Sequence, residues 1–359
     1  MNFVRKKRIK TRIIQIMSDE KRTEIGEIGE FALIDQLAGN VVQYHERTIK
    51  GIGDDAAVFK SGEELMLLSA DMLIEGVHFN LSYMPLKHLG YKAIAVNVSD
   101  IAAMNGTPRQ ITVSLGLSNR FSVEAVEMLY EGIRAACEDY KVDLVGGDTT
   151  ASQSGLIISI SVTGLTNETN ISYRSGAKEH DILCVTGDLG AAYMGLQVLE
   201  RERMEFMENP NMQPKLSGYD YIVGRQLKPR ARMDIVHELA DLSVIPTSMI
   251  DVSDGLVSEI FHLCKNSNLG AAIFEDKIPI DKETYETAAE FTIDPNSCAM
   301  NGGEDYELLF TLPQSDFEKI EKHVDIHTIG YMHSQDKGKV LVTRNGNTVP
   351  LTAQGWKHF

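Results

Sequence analysis

Short apolar runs alternate with amphipathic segments along most of the chain. Runs of about four to eight apolar residues indicate buried strands, whereas apolar positions three and four apart indicate helices. The pattern therefore predicts both strands and helices along the chain. Strands are predicted at 56–59, 65–70, 109–117, 142–150, 155–165, at the starts of 180–190 and 249–270, and after the turn at 302–305; helices are predicted at 26–39, 87–106, 122–140, from 190 to 203 and in the rest of 249–270.

The predicted helix 87–106 carries polar residues on a face that would otherwise be apolar. Ala93, Asn97 and Asp100 share one side by their spacing of three and four residues. A buried carboxylate without a partner is costly. Asp100 therefore has a metal ion or a basic partner, or this face is solvated.

A polar, turn-rich segment at 165–175 separates two halves of the chain. We expect an N-terminal domain at 24–165, a C-terminal domain at 166–359, and a basic, disordered extension at 1–23. Residues 204–218 are rich in Met, Asn and Pro, and this composition predicts a surface insertion. The chain is long enough for two cores of ordinary size.

The composition excludes several classes of protein. The chain is 43% hydrophobic and 24% charged, as in soluble globular proteins, and no apolar run approaches the roughly 20 residues of a membrane span. The four cysteines are far apart and form no CxxC pair, so they indicate neither a zinc site nor a disulfide framework. We expect reduced cysteines in the core of a cytoplasmic protein.

The net charge of −16 argues against nucleic acid as a partner. Residues 1–12 differ, because they contain six Lys or Arg and no acidic residue. This segment lacks the apolar stretch of a secretory signal. Met17 begins a more ordinary sequence and is a possible start of the protein.

Acidic residues beside Gly or Ser recur at the edges of the apolar runs. In GIGDDAAV (51–58), two glycines lead into Asp54 and Asp55, whose like charges repel each other unless a cation lies between them. Such a site taken alone also fits an ordinary surface turn. Further acidic sites occur at 69–71, 98–100, 146–148, 186–188, 251–254 and 302–305. So many sites predict a pocket for several hard cations such as Mg²⁺, and hence a phosphate-rich ligand.

No Walker lysine motif and no protein-kinase glycine loop is present in the sequence. Gly146 and Gly147 would instead expose backbone N–H groups to an anion. If the chain binds ATP, we expect metal ions held by carboxylates, together with glycine turns, to bind it in place of a Walker lysine.

The motifs, taken in order, closely resemble the thiamine-monophosphate kinase family, of the aminoimidazole ribonucleotide synthetase and selenophosphate synthetase superfamily. The resemblance runs from about Gly26 to the C-terminus. It is carried by GEFALID, GIGDDAAV, SADMLIEGVHF, KAIAVNVSDIAAMNGTPR, LVGGDTT, RSGAKEHDILCVTGDLG, DVSDGLVSE and GGEDYELLF. The acidic turns alone would indicate only the superfamily; GEF, the His of EGVHF, GGEDYEL and the terminal Trp favour the kinase.

The resemblance implies two α/β domains, with an N-terminal sheet that forms a barrel with its dimer mate and a C-terminal α/β sandwich. It implies direct in-line transfer of the ATP γ-phosphoryl group to thiamine monophosphate, which gives thiamine diphosphate in the last step of its biosynthesis. Phosphoryl transfer needs mainly positioning and charge neutralisation, which fits the acidic turns.

The resemblance also implies roles for individual residues. The metal ligands would be Asp55, Ser69, Ala70, Asp71, Asp100, Asp148, Asp251 and Asp254. The ATP contacts would be Tyr130, Gly146, Gly147, Arg174 and Ser253. The contacts to thiamine monophosphate would be His78, Glu304 and Trp356. Ala70 departs from the family, which has Thr there, so it would have to use its backbone carbonyl. Asp54 lies beside the metal ligands, and whether it binds a metal ion directly stays open. No general base is implied.

Two rival functions remain. A synthetase of the same superfamily would use ATP to activate an amide or carbonyl oxygen and would need a different acceptor pocket. A non-catalytic acidic metal-binding protein is the other, although the chain lacks EF-hand loop spacing.

Overall fold

The computed structural model describes residues 24–352. The predicted basic extension at 1–23 and Trp356 lie outside the described residues. Within the described part, residues 24–44 belong to one compact unit and residues 45–352 to another.

Among residues 24–44, which the structure describes in the first unit, there are two helices, α1 (Ile25–Ile28) and α2 (Glu30–Ala38). They replace the single helix predicted at 26–39, because Gly29 adopts a φ of 76° between them. Gly39 follows the last helical residue, as predicted.

The second unit begins with a six-stranded sheet. Its strands are β1 (Thr48–Lys50), β2 (Ala57–Ser61), β3 (Glu64–Ile74), β4 (Thr107–Leu117), β5 (Asp143–Ala151) and β6 (Ile157–Thr166). Their spatial order is β1-β2-β3-β6-β4-β5, and only β4 and β5 pair in parallel. Along β3, buried and exposed residues alternate, so one face of this sheet is covered and the other is largely bare.

Two helices, α3 (Leu86–Ala103) and α4 (Val123–Tyr140), account for the covered face. Helix α3 packs on β3, β4 and β6, and α4 packs on α3. The helices approach closely through two glycines: a Cβ on Gly90 would lie 2.0 Å from the Leu129 carbonyl oxygen, and one on Gly132 would lie 1.8 Å from that of Lys87. Ser122 begins α4 as the predicted N-cap, since its Oγ accepts a hydrogen bond from Ala125 N–H.

The second sheet has seven strands. They are β7 (Ile182–Thr186), β8 (Ser248–Asp251), β9 (Leu269–Phe274), β10 (Leu308–Leu312), β11 (Ile326–Ser334), β12 (Lys339–Val342) and β13 (Thr348–Pro350). The order is β13-β12-β9-β11-β7-β10-β8, antiparallel except for β9 and β12. Its helices are α5 (Ala191–Glu208), α6 (Asp220–Leu227), α7 (Met233–Asp241), α8 (Leu256–Ser267), α9 (Lys282–Glu290), α10 (Pro295–Asn301) and α11 (Phe317–Ile320).

One hydrophobic core joins the two sheets. It contains Ile160 of β6, Ile94 of α3 and Phe310 of β10, all fully buried. Helix α3 also packs against β8, at the edge of the second sheet. The polar end of α3 therefore lies next to the acidic end of β8.

One local prediction was wrong. Helix α5 continues to Glu208, five residues into the predicted insertion at 204–218, and Arg203 Nη1 contacts Met207 Sδ at 3.2 Å on this added turn. The strand predicted at 142–150 is confirmed, since β5 runs through Gly146 and Gly147 and pairs with β4. Among the described residues, no helix is long and apolar enough to cross a membrane.

Candidate functional site

Three carboxylates from different elements converge at one point. Asp55 follows the glycine turn before β2, Asp100 lies near the end of α3, and Asp251 ends β8. Ligand oxygens of the three lie within 4.8 Å of one another. Asp55 and Asp251 are buried, and Asp100 is partly exposed.

Neighbouring polar groups orient this cluster. Ser69 of β3 donates a 2.5 Å hydrogen bond to Asp100, and Ser99 donates a 2.6 Å bond to Asp251. The Asp71 N–H donates to Asn97 Oδ1 at 3.2 Å. Asn97 is the residue that interrupts the apolar face of α3, and here it is fully buried.

The carboxylates resist ionisation in this protein. Burial raises the pKa of Asp251 to about 7, and the charge of Asp55 adds to the effect. Burial also raises the pKa of Asp100 well above its usual range, followed by repulsion from Asp71, Asp251 and Asp55. Groups this close cannot all carry charge without a cation. Their oxygen donors suit a hard divalent ion.

Arg174 supplies one positive charge at the cluster. Its Nη2 and Nε donate to the two oxygens of Asp55 at 2.6 and 3.2 Å. Burial opposes the charge, but Asp55 outweighs it and raises the pKa of Arg174. The fork of a guanidinium matches a carboxylate or a phosphate in this geometry.

Asp54 binds the same arginine through its backbone. Asp54 Oδ1 accepts a 3.0 Å hydrogen bond from Arg174 N–H, and Lys50 Nζ lies 3.6 Å from Oδ2. Burial raises the pKa of Asp54 to about 6, and Asp55 adds to this. The two adjacent carboxylates thus contact different parts of one residue.

The turn after β8 carries Ser253 and Asp254, both half-buried. The Asp254 N–H donates to Glu259 Oε1 at 3.1 Å. Glu259 is buried in the first turns of α8, and burial followed by the charges of Asp254 and Asp251 raises its pKa well above the usual range. Glu259 was not predicted as a site residue, although an acid shortly after Asp-Gly at a helix start is a capping signal.

Glu304 lies against the same turn. It adopts a φ of 58°, and its N–H donates to the Ser253 carbonyl at 2.7 Å. Strained backbone of this kind occurs preferentially at functional sites. Lys92 Nζ lies 3.0 Å from Glu304 Oε1, and Gln226 Nε2 donates to Oε2 at 2.7 Å. Lys92 was also missed, although a lysine inside the small-residue stretch of α3 is a visible anomaly.

An open groove lies beside β5. Its volume is about 550 Å³, and its lining includes Tyr130 of α4, Gly146, Gly147 and Asp148. This brings together three of the five predicted ATP contacts. The close packing of β5 on β4 requires Gly147, because a Cβ there would lie 1.8 Å from the Val113 carbonyl oxygen.

Asp148 is not brought into the carboxylate cluster. Asp148 pairs with Ser114 of β4. Across the next two strands, Ser114 pairs with Ser159 of β6, and Ser159 pairs with Met72 of β3. Asp148 therefore shares a row with Met72, on the bare face, whereas Asp71 lies in the next row. Three strand spacings separate β5 from β3, or about 14 Å.

The remaining predicted residues lie as follows. Ala70 is an exposed position of β3, between Ser69 and Asp71. His78 is half-buried, and its Nδ1 accepts a 2.9 Å hydrogen bond from Ile74 N–H. Trp356 lies outside the described residues.

Comparison with known proteins agrees with this geometry. Residues 53–166 match the model of the AIR synthase related protein, N-terminal domain. The thiamine-monophosphate kinase of Bacillus subtilis is 32% identical over 338 residues, which cover 92% of this chain and 99% of that protein. That of Aquifex aeolicus is 35% identical, with 93% and 99% covered.

A solved structure of AaThiL complexed with AMPPCP and TMP is similar throughout. It superposes with a TM-score of 0.80 and 33% identity, over 95% of this chain and 100% of that one. Identity at this level over nearly the whole length of the relatives, together with the matching motifs and fold, shows that the chain belongs to the thiamine-monophosphate kinase family.

Proposed function

We propose that the protein transfers the γ-phosphoryl group of ATP to thiamine monophosphate and forms thiamine diphosphate and ADP. The observation that carries the proposal is the convergence of Asp55, Asp100 and Asp251 from three separate elements. Family membership supports the acceptor, because the relatives are thiamine-monophosphate kinases and AaThiL is complexed with AMPPCP and TMP.

The carboxylate cluster fits several Mg²⁺ ions. The residues that would hold them are Asp55, Ser69, the Ala70 carbonyl, Asp71, Asp100, Asp251 and Asp254, with Asp148 outside the cluster. Bound Mg²⁺ would neutralise the phosphate charge that builds up during transfer. The raised pKa of Asp251 supports this role, since burial and then the charge of Asp55 disfavour an ionised carboxylate that a cation would stabilise.

The nucleotide would occupy the groove beside β5. Tyr130 would line it, Gly146 and Gly147 would allow close approach, and Ser253 and Arg174 would contact the phosphates. The groove volume of about 550 Å³ and the position of Arg174 at Asp55 support this arrangement.

The acceptor would lie near His78 and Glu304, with Trp356. His78 Nδ1 accepts the Ile74 N–H, so a neutral ring carries its proton on Nε2 and can donate from there. Glu304 offers a carboxylate to the thiazolium cation. The attacking group is an ionised phosphate, so no general base is assigned.

We also propose the assembly that the family implies: domains at 24–165 and 166–359, a homodimer in which the first sheets form a barrel, a C-terminal α/β sandwich, and a cytoplasmic location. The bare face of β3 supports the dimer, since Leu68 and Met72 are 38% and 51% exposed there. Apolar sheet faces of this kind favour association.

The test is a coupled ADP-release assay with thiamine monophosphate and, as control, thiamine. We expect ADP release that depends on thiamine monophosphate and on Mg²⁺, with thiamine diphosphate as product. ADP release that is independent of thiamine monophosphate, without thiamine diphosphate, would exclude the kinase and leave the synthetase alternative.

A further inference from the structure

The two adjacent carboxylates of the glycine turn, Asp54 and Asp55, contact different parts of Arg174. Asp55 receives the guanidinium, with hydrogen bonds of 2.6 and 3.2 Å. Asp54 Oδ1 receives the backbone N–H of Arg174 at 3.0 Å and that of Asp55 at 3.3 Å. Asp54 does not belong to the group of carboxylates whose oxygens lie within 4.8 Å of one another.

The contact made by Asp54 is enclosed. The Asp54 side chain is 0% exposed, so solvent cannot replace the Arg174 N–H if the bond is lost. Buried acceptors without a donor are costly. The hydrogen bond therefore fixes the backbone at Arg174 to the turn that carries Asp55.

The segment around Arg174 is fixed on its other side as well. The Tyr173 carbonyl accepts a 2.9 Å hydrogen bond from Met249 N–H of β8, the strand that ends in Asp251. Gly176 has a φ of 118°, and a Cβ there would lie 2.4 Å from the Thr247 carbonyl oxygen. Arg174 is thus held between the elements that supply Asp55 and Asp251.

We propose that Asp54 is a positioning residue for Arg174 and that it does not bind a metal ion. Arg174 donates hydrogen bonds to both carboxylate oxygens of Asp55, and a divalent ion would coordinate these same oxygens. When the ion binds, the guanidinium leaves Asp55 for the nucleotide phosphates, while Asp54 keeps the backbone in place. The inference rests on the proposed nucleotide site but not on the identity of the acceptor.

The test compares the same substitution at the two neighbouring carboxylates. Calorimetric titration with Mn²⁺ and no nucleotide should show that Asp55→Asn weakens binding at least about tenfold, while Asp54→Asn stays within about threefold of the unmodified protein. Equal losses in the two variants would make Asp54 a metal ligand and overturn the proposal.

The positioning role is tested with Mg²⁺·AMPPCP as the probe. Asp54→Ala removes the acceptor of the Arg174 N–H, and we expect the dissociation constant to rise about tenfold. Asp54→Asn keeps an acceptor oxygen and should restore binding to within about twofold. If alanine binds AMPPCP as well as asparagine does, Asp54 does not position Arg174.

Two features keep the test decisive. The Mn²⁺ comparison of Asp54→Asn with Asp55→Asn stands even if Asp54→Ala does not fold, which a thermal melt will reveal. None of the titrations contains thiamine monophosphate. A protein that fails to phosphorylate thiamine monophosphate would therefore refute the proposed acceptor and leave this inference intact.

Discussion

The Ser99 hydroxyl donates a 2.6 Å hydrogen bond to Asp251 and joins two separately built parts of the fold. Ser99 belongs to α3, which packs on the first sheet, and Asp251 ends the edge strand of the second. Because Asp100 follows Ser99 directly, this contact brings the carboxylates of both parts together. The metal site that we propose depends on this junction.

Divalent ions should stabilise the protein, more strongly at high pH. Asp251 has a pKa of about 7 in the folded chain, against its usual 3.8. In the metal-free protein, protonated Asp251 therefore contributes to the free energy of unfolding at low pH. This contribution falls as the pH rises from about 4 to 7. Mg²⁺ binds the ionised carboxylates, so its effect should grow over the same range.

Thermal melts at pH 6 and pH 8, with chelator and with millimolar Mg²⁺, measure this effect. We expect Mg²⁺ to raise the midpoint by at least about 3 °C at pH 8, and by less at pH 6. Equal midpoints with chelator and Mg²⁺ at both pH values would count against the metal site.

Asp251→Asn should separate activity from stability. The amide keeps an acceptor for Ser99 but removes a buried charge, so we expect kcat/KM to fall at least about 100-fold, or roughly 2.7 kcal/mol. The unfolding midpoint in chelator should stay the same or rise, since the cost of burying an ionised carboxylate and the repulsion from Asp55 are both lost. Steady-state kinetics and melts in chelator measure both. A midpoint that falls would show that Asp251 is mainly structural.

The two glycines of β5 should respond differently to alanine. A Cβ on Gly147 would overlap the Val113 carbonyl oxygen, whereas one on Gly146 meets no atom within 4 Å. Gly147→Ala should therefore lower the free energy of unfolding by about 1–3 kcal/mol. Gly146→Ala, the matched control, should change it by less than about 1 kcal/mol. Urea denaturation measures both; equal effects would contradict the pairing of β5 with β4.

Substitutions of Lys92 and of Glu304 should lower the free energy of unfolding by unequal amounts. The Lys92 side chain is 1% exposed and that of Glu304 is 30% exposed. Glu304→Gln leaves a buried charge without its partner and should cost about 3–5 kcal/mol. Lys92→Met removes that charge and leaves a carboxylate that water can reach, so it should cost roughly 1–2 kcal/mol.

The double variant Lys92→Met, Glu304→Gln checks this interpretation. It should be more stable than Glu304→Gln alone in urea denaturation, because no buried charge remains. A double variant that is less stable than Glu304→Gln would show that loss of the ion pair does not determine the fall in the free energy of unfolding.

The sequence predicted most elements and the acidic character of the site. Periodicity located α3, α4 and β6, and the spacing of Asn97 and Asp100 on α3 correctly indicated a polar face that needs partners. The reason is that local pattern determines helices and strands directly. The residue at which a helix ends also depends on contacts outside the local pattern, and α5 ends at Glu208, five residues after its predicted end.

Contacts between distant segments could not be predicted from the pattern. Nothing in the spacing shows that Lys92 meets Glu304, or that Arg174 rests on Asp55, since these pairs form only when the two sheets pack together. Asp148 illustrates the opposite case. Its motif resembles the other acidic turns, but the strand pairing of β5 sets it apart from the cluster.

A ³¹P NMR spectrum of the protein incubated with ATP, thiamine monophosphate and Mg²⁺ tests the proposed phosphoryl transfer most directly. We predict the two coupled resonances of thiamine diphosphate, in equal amount to ADP and without inorganic phosphate, and their loss in chelator and in Asp251→Asn. An unchanged resonance of thiamine monophosphate, with inorganic phosphate accumulating from ATP, would contradict the account.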